Sequence, residues 1–287
     1  MAKAGLVSVV IPTFNSEGTL QKCLESIKKQ TYQNIEIIIV DNVSKDKTRQ
    51  IATRFTRKII TEKLGMSAAR NRGLRESKGA YFLSIDSDME LGGTVVGECV
   101  DKLSECHRCA GIIIPERSVG GSFWVKIRDF ERQFYHNTDI ESARFFRLGV
   151  VKKVGGYDED VTFFEDSTLP QRIKRSNRGP FCRVKSEIMH HEDNFNIVDW
   201  LKKKTRYGRS AVKYVSKYPE FSRQKVSMPA RYLIFLKDKR FYSEPILAAG
   251  VLILKTLEFV AVGLGIVVGM RTCQTCKKEY EGGLRRK

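Results

Sequence analysis

Two aspartates stand one residue apart in FLSIDSDMEL, Phe82 to Leu91: Asp86 and Asp88. They follow Tyr81 to Ile85, an apolar, β-branched run with Gly79 on one side and Gly92-Gly93 on the other, which reads as a buried strand. In a chain that stays extended, a period of two sends both carboxylates to one side, roughly 7 Å apart. At an intermediate effective dielectric their repulsion is on the order of 2 kcal/mol. A bound cation would relieve it, and so would water at a solvated turn.

The elements around this pair decide between those readings. Leu6 to Phe14 is a near-continuous apolar strand, and Leu20, Leu24 and Ile27 follow at helical spacing. IEIIIVDN is a second buried strand, TRQIATRF a second helix, KIITEK a third strand and MSAARNRGLRES a third helix. The alternation βαβαβαβ, with strands apolar on both faces, predicts an α/β fold whose mostly parallel, Rossmann-like sheet is covered by helices. Ligands of such sheets bind beyond the carboxyl ends of the strands. Thr13 and Asn15 end the first strand, Asp41 and Asn42 the second, and Asp86 and Asp88 the fourth. After Cys109 the pattern loosens: AGIIIPER reads as a strand, Phe123 to Tyr135 as an amphipathic helix, and FFEDSTLPQRIKR as a helix with two acids in front.

The net charge of +18 points to anionic partners: phosphate, nucleic acid or an acidic membrane surface. More than half of it sits between Leu201 and Arg240, where 13 Lys/Arg face only Glu220 and Asp238. Ile246 to Met270 is then 25 residues with only Lys255 and Glu258 ionisable. About 20 apolar residues suffice to cross a bilayer, so this stretch reads as membrane-embedded rather than as a soluble core helix. Basic residues flank it on both sides, which leaves spanning and re-entrant arrangements open. Seven cysteines without an export signal suggest reduced thiols and a cytosolic compartment.

Three stretches carry a resemblance: SVVIPTFNSEGTLQKCLESIKKQTYQNIEIIIVDN, GMSAARNRGLRESKGAYFLSIDSDM and VGGYDEDVTFFEDSTLPQRIK. In this order and spacing they resemble family 2 glycosyltransferases of the GT-A fold over roughly residues 6 to 215, and the C-terminal part looks like membrane-associated members. The resemblance implies a nucleotide-sugar donor (UDP- or GDP-linked), Mg2+ or Mn2+, and inversion at the anomeric carbon. It implies that Asp41 reads the base, with Pro12, Thr13, Asn15 and Glu17 lining the same pocket. Arg70 then stands beside the donor, Asp86 at the ribose, Asp88 on the metal, and Asp166 as catalytic base. His190, in MHHED, matches a histidine that touches metal or diphosphate in some members; a surface histidine is the plain alternative. The matching physics is a hard cation holding substrate phosphates and a separate carboxylate taking the acceptor's proton. Three departures are visible: Asn42 follows Asp41, Val43 replaces a small residue, and Phe164 stands where Gly is common. The Gln-x-x-Arg-Trp signature of processive synthases is absent, so transfer of one sugar is expected.

The expected organisation is a catalytic domain over 1–225 and, over 226–287, a basic region, an apolar helix at about 246–270 and a basic tail. The expected activity is transfer of one sugar to a polyprenyl-linked glycan or lipid at an anionic membrane surface, with the catalytic domain on the cytoplasmic side. A membrane-tethered nucleotide-sugar or nucleic-acid binder without turnover is the alternative, although no aromatic RNA motif or zinc-finger spacing supports nucleic acid. Gly265 to Gly269 is a small-xxx-small pattern that could pair helices into a homo-oligomer. Tyr207, Ala211, Tyr214 and Tyr218 form a helical stripe suited either to packing or to a membrane interface. The pairs Cys106/Cys109 and Cys273/Cys276 have zinc-knuckle spacing, with plain thiols the stronger reading.

Overall fold

A computed structural model describes residues 5–136, 138, 140–176 and 179–272. Its strands are β1 (Val7–Thr13), β2 (Ile35–Asp41), β3 (Ile59–Thr61), β4 (Tyr81–Ser84), β5 (Met89–Leu91), β6 (Gly111–Ile113), β7 (Glu116–Val119), β8 (Phe145–Arg147), β9 (Phe181–Arg183) and β10 (Ile188–His191). Seven form the main sheet in the order β3-β2-β1-β4-β8-β6-β9. The pairs β1–β2, β1–β4, β2–β3 and β6–β9 are parallel, and only β8 runs against its two neighbours. The expected mostly parallel sheet is therefore present. Its first half follows the predicted alternation because every β1 residue is buried and only a sheet covered on both faces accepts such a run. Helix Met66–Glu76 lies close on β1, where a Cβ on Gly73 would overlap the Val10 side chain.

The chain divides into two compact units. The first comprises the described residues up to Arg117, Ser142–Glu159 and Glu165–His191; the second comprises Ser118–Glu141, Asp160–Phe164 and the described residues from Glu192 on.

In the first unit the apolar core lies on both faces of the sheet. The strand read as AGIIIPER breaks at Ile114-Pro115 into β6 and β7, since proline cannot donate to a ladder. The reading of all thiols as reduced is corrected at one pair: Cys109 is bonded to Cys182 of β9, with Cα atoms 5.8 Å apart. The Cys106 sulfur lies 4.0 Å from that of Cys182, while Cys273 and Cys276 fall outside the described residues.

In the second unit helix Ile197–Lys217, capped by the Asn196 side chain, packs beside helix Pro245–Thr272. The contact is close enough that a Cβ on Gly265 would stand 2.9 Å from the Gly208 Cα. The small-residue pattern at Gly265 and Gly269 is thus used inside the chain, against Gly208 and Arg209. The Tyr stripe belongs to a core: Ala211, Tyr214 and Tyr218 are buried with Val161, Phe163 and Val262, so the membrane-interface reading of these residues does not hold. Lys255 and Glu258 pair with one another within a helix that is continuous over 28 residues. Lys255 also reaches Glu131 at 2.6 Å, and Glu258 reaches Lys204. Lys255 and Glu258 therefore both face protein.

Candidate active site

The carboxyl ends of β1, β2 and β4 carry the polar groups named from the sequence. At β2 the Asp41 carboxylate is fully buried and held by three donors. Thr13 Oγ1 donates at 3.1 Å, the Ser44 amide at 3.0 Å and the Ser44 hydroxyl at 2.5 Å. The loops after β1 and β2 then clasp one another. Asn15 accepts from the Lys45 amide at 2.9 Å, and Glu17 from the Lys47 amide at 3.0 Å. Pro12 is buried inside β1, paired in register with Val40. Asn15 and Val43 both adopt left-handed backbone, with φ of 47° and 58°. For β-branched Val43 that conformation is strained, and it occurs at the very position where the sequence departs from the small residue of the resemblance.

Asp86 and Asp88 do not share one side of a strand. The extended segment ends at Ser84, and a turn separates the two aspartates before β5 begins. Asp86 faces two guanidinium groups. Arg70 Nη2 donates to its Oδ1 at 2.8 Å, and Arg144 Nη1 lies 4.0 Å from its Oδ2. Burial alone would raise the Asp86 carboxyl, but the Arg70 and Arg144 charges outweigh it and hold the group well below the usual carboxylate range. The repulsion inferred from sequence is thus relieved at Asp86 by protein cations. Asp88 turns to a second sheet of three strands, in the order β5-β10-β7, where β10 runs antiparallel to β5 with His190 opposite Met89. His190 Nε2 lies 3.1 Å from Asp88 Oδ2. The His191 amide donates to the Asp88 carbonyl at 2.8 Å and fixes the register.

Two polar atoms of this cluster are buried without a hydrogen-bond partner among the described residues: Asp88 Oδ1 and Arg70 Nη1. One is a carboxylate oxygen and the other a cationic N–H donor. Leaving such groups unpaired is costly unless a ligand completes them. A hard cation suits the first and a phosphate oxygen the second. Together with an imidazole nitrogen from His190, the donor set fits a divalent metal.

Arg70 rises from helix Met66–Glu76, is 2% exposed, and stacks over the Tyr157 ring at 5.5 Å. Its Nη1 also lies 3.9 Å from Glu165 Oε1. Glu165 and Asp166 open helix Glu165–Arg175, where the helix dipole favours carboxylates. Burial, reinforced by the neighbouring Asp166 charge, pushes Glu165 up to about 7. Sequence reasoning missed Arg144, Glu116 and Tyr157. Arg144 directly precedes β8, and the antiparallel pairing of β8 with β4 brings it to Asp86; its Nε donates to Glu116 at 2.6 Å. No spacing in the sequence signals that approach. Glu165 was visible beside Asp166, but its contact with Arg70 was not.

The chain matches the model of the family described as "Glycosyl transferase family 2" over residues 8–156. Among curated proteins it is 41% identical over 209 residues to the uncharacterized glycosyltransferase RT0329 of Rickettsia typhi, covering 65% of this chain and 62% of that one. It is 42% identical over 88 residues to Glycosyltransferase GlyA of Streptococcus pneumoniae, covering 29% of this chain and 13% of that one. The match thus spans less than two thirds of either relative. Among solved structures, the mannosyltransferase PcManGT from Pyrobaculum calidifontis, in complex with GDP-Man and Mn2+, superposes with a TM-score of 0.66 at 16% identity. That superposition covers 94% of this chain and 88% of the other, and it shows a shared GT-A fold. By sequence the chain belongs to glycosyl transferase family 2.

Proposed function

We propose that the protein is a metal-dependent, inverting glycosyltransferase that moves one sugar from a UDP- or GDP-linked donor to a hydroxyl of a polyprenyl-linked glycan or lipid. The observation that carries the reading is that two buried atoms of this cluster, Asp88 Oδ1 and Arg70 Nη1, have no hydrogen-bond partner among the described residues, which suits a cation and an anion there. Nucleotide-sugar complexes of proteins with this fold, one of them containing Mn2+, support the same ligand class.

Asp88 and His190 would hold the metal, which when bound neutralises the charge of the departing diphosphate. Arg70 would donate Nη1 to a phosphate oxygen while its Nη2 keeps Asp86 ionised for the ribose. Asp41 would define the base pocket together with Pro12, Thr13, Asn15 and Glu17, the loop clasp keeping that pocket preformed. Asp166 would accept the acceptor hydroxyl's proton as its oxygen bonds to the anomeric carbon. The bond from that carbon to phosphate oxygen breaks, the nucleoside diphosphate leaves, and the configuration inverts in this single displacement. The apolar helix Pro245–Thr272, long and apolar enough to cross a membrane, supports an acceptor that resides in a bilayer.

The test is transfer or donor hydrolysis with UDP- and GDP-sugars in Mn2+ or Mg2+. Metal-dependent turnover that falls at least about 100-fold in Asp88→Asn supports the reading. Metal-dependent nucleotide binding without turnover would favour the tethered binder.

A further inference from the structure

The membrane association proposed above leaves the disposition of the apolar helix open. We infer that helix Pro245–Thr272 lies in the plane of an anionic bilayer surface, its exposed ridge in the acyl boundary, and does not cross the membrane.

The neighbouring helix decides this. Ile197–Lys217 accompanies the apolar helix in the same direction, because its contacts ascend together: Lys204 with Glu258, Gly208 with Gly265, Arg209 with Gly269. At 1.5 Å per residue its 21 residues extend about 31 Å, close to the full hydrocarbon thickness. Its outer surface carries Lys202, Lys203, Arg206, Arg209 and Lys213, all exposed. A spanning apolar helix would draw this row of cations into hydrocarbon, where Lys and Arg are among the costliest residues. Unpacking the two helices instead would strand Glu258 without Lys204.

The in-plane arrangement meets both constraints. Ile246, Ile253, Val260, Leu264 and Val267 are 72%, 54%, 55%, 59% and 44% exposed. Their spacing, in steps of seven, four and three, forms one stripe along the helix. From Ile246 to Val267 it holds no charge, since Lys255 and Glu258 point to Glu131 and Lys204. Cations on the companion helix complement anionic headgroups, each attracted within a Debye length of the surface. A re-entrant hairpin is not available to an unbroken helix of 28 residues. Lipid is thus the occupant whose chemistry matches an uncharged ridge beside a basic helix.

The test uses the full chain with different tags at its two termini, expressed in cells from which sealed vesicles are prepared. Protease added outside is expected to remove both tags or neither. Removal of one tag only, with the second released by detergent, would overturn the in-plane reading while leaving membrane association intact. Failure to float with vesicles of any composition would instead defeat the association itself. Ile253→Glu/Val260→Glu is expected to lower binding to phosphatidylglycerol vesicles at least 10-fold while nucleotide binding and the circular dichroism spectrum stay unchanged. Unchanged vesicle binding in this variant would also contradict the inference.

Discussion

Asp86 and Asp88 are two residues apart and have different electrostatic lives. Asp86 is neutralised by Arg70 and Arg144, whereas Asp88 keeps a buried oxygen with no hydrogen bond among the described residues. Substituting the first should therefore disturb folding as well as function, because it strands a fully buried guanidinium. Glu165 provides a pH test. Its carboxyl sits near 7 in the fold against an ordinary 4.5, so from pH 4.5 upward the unfolded chain releases a proton that the folded chain retains. This group destabilises the fold increasingly as pH rises to about 7, by on the order of 3 kcal/mol, and by a constant amount above that. Glu165→Gln should accordingly gain melting temperature relative to the parent between pH 4.5 and 7, with a flat difference beyond. A difference independent of pH would refute the assignment. Val43 gives a second test: with φ at 58°, its left-handed backbone costs about 1–2 kcal/mol, partly offset by the extra unfolded-state entropy of glycine. Val43→Gly should raise the melting temperature by about 2 °C in calorimetry. The sequence revealed the aspartates because strand ends are readable from apolar runs. It hid Arg144 because that approach depends on β8 being inserted antiparallel between β4 and β6.

At the scale of elements, strand pairing positions the candidate metal groups. β10 runs against β5 and sets His190 beside Asp88, a contact between residues 102 positions apart. The βα alternation of the first half was legible because each strand is apolar on both faces. Short strands such as β8 and β9 escaped, since three residues carry no periodicity. Helix packing in the second unit was half legible: length and apolarity mark helix Pro245–Thr272 and the tyrosine stripe marks helix Ile197–Lys217, but nothing in the sequence pairs the two. Glycines distinguish the two faces there. Gly208→Val would push a side chain into the Val262 backbone and should cost about 1–3 kcal/mol in denaturant unfolding. Gly263 has nothing within 4 Å of its Cβ position, so Gly263→Ala should be neutral or stabilising by up to about 1 kcal/mol. Equal effects at the two positions would contradict the packing.

For the whole molecule, the charge of +18 and the apolar helix suit the proposed binding to anionic surfaces, and the sheet's carboxyl edge gathers the candidate site. Vesicle binding should weaken as salt rises, because headgroup attraction is screened, yet retain a salt-resistant part from the apolar ridge. In the proposed function a divalent cation and a diphosphate would complete Asp88 and Arg70. The most direct measurement is a crystal structure of the full chain grown with Mn2+ and UDP or GDP, read at the manganese edge. An anomalous peak at the Asp88 carboxylate, with phosphate oxygens reaching both that ion and Arg70 Nη1, is the predicted result. A nucleotide bound in the crystal with no manganese at Asp88 would contradict it.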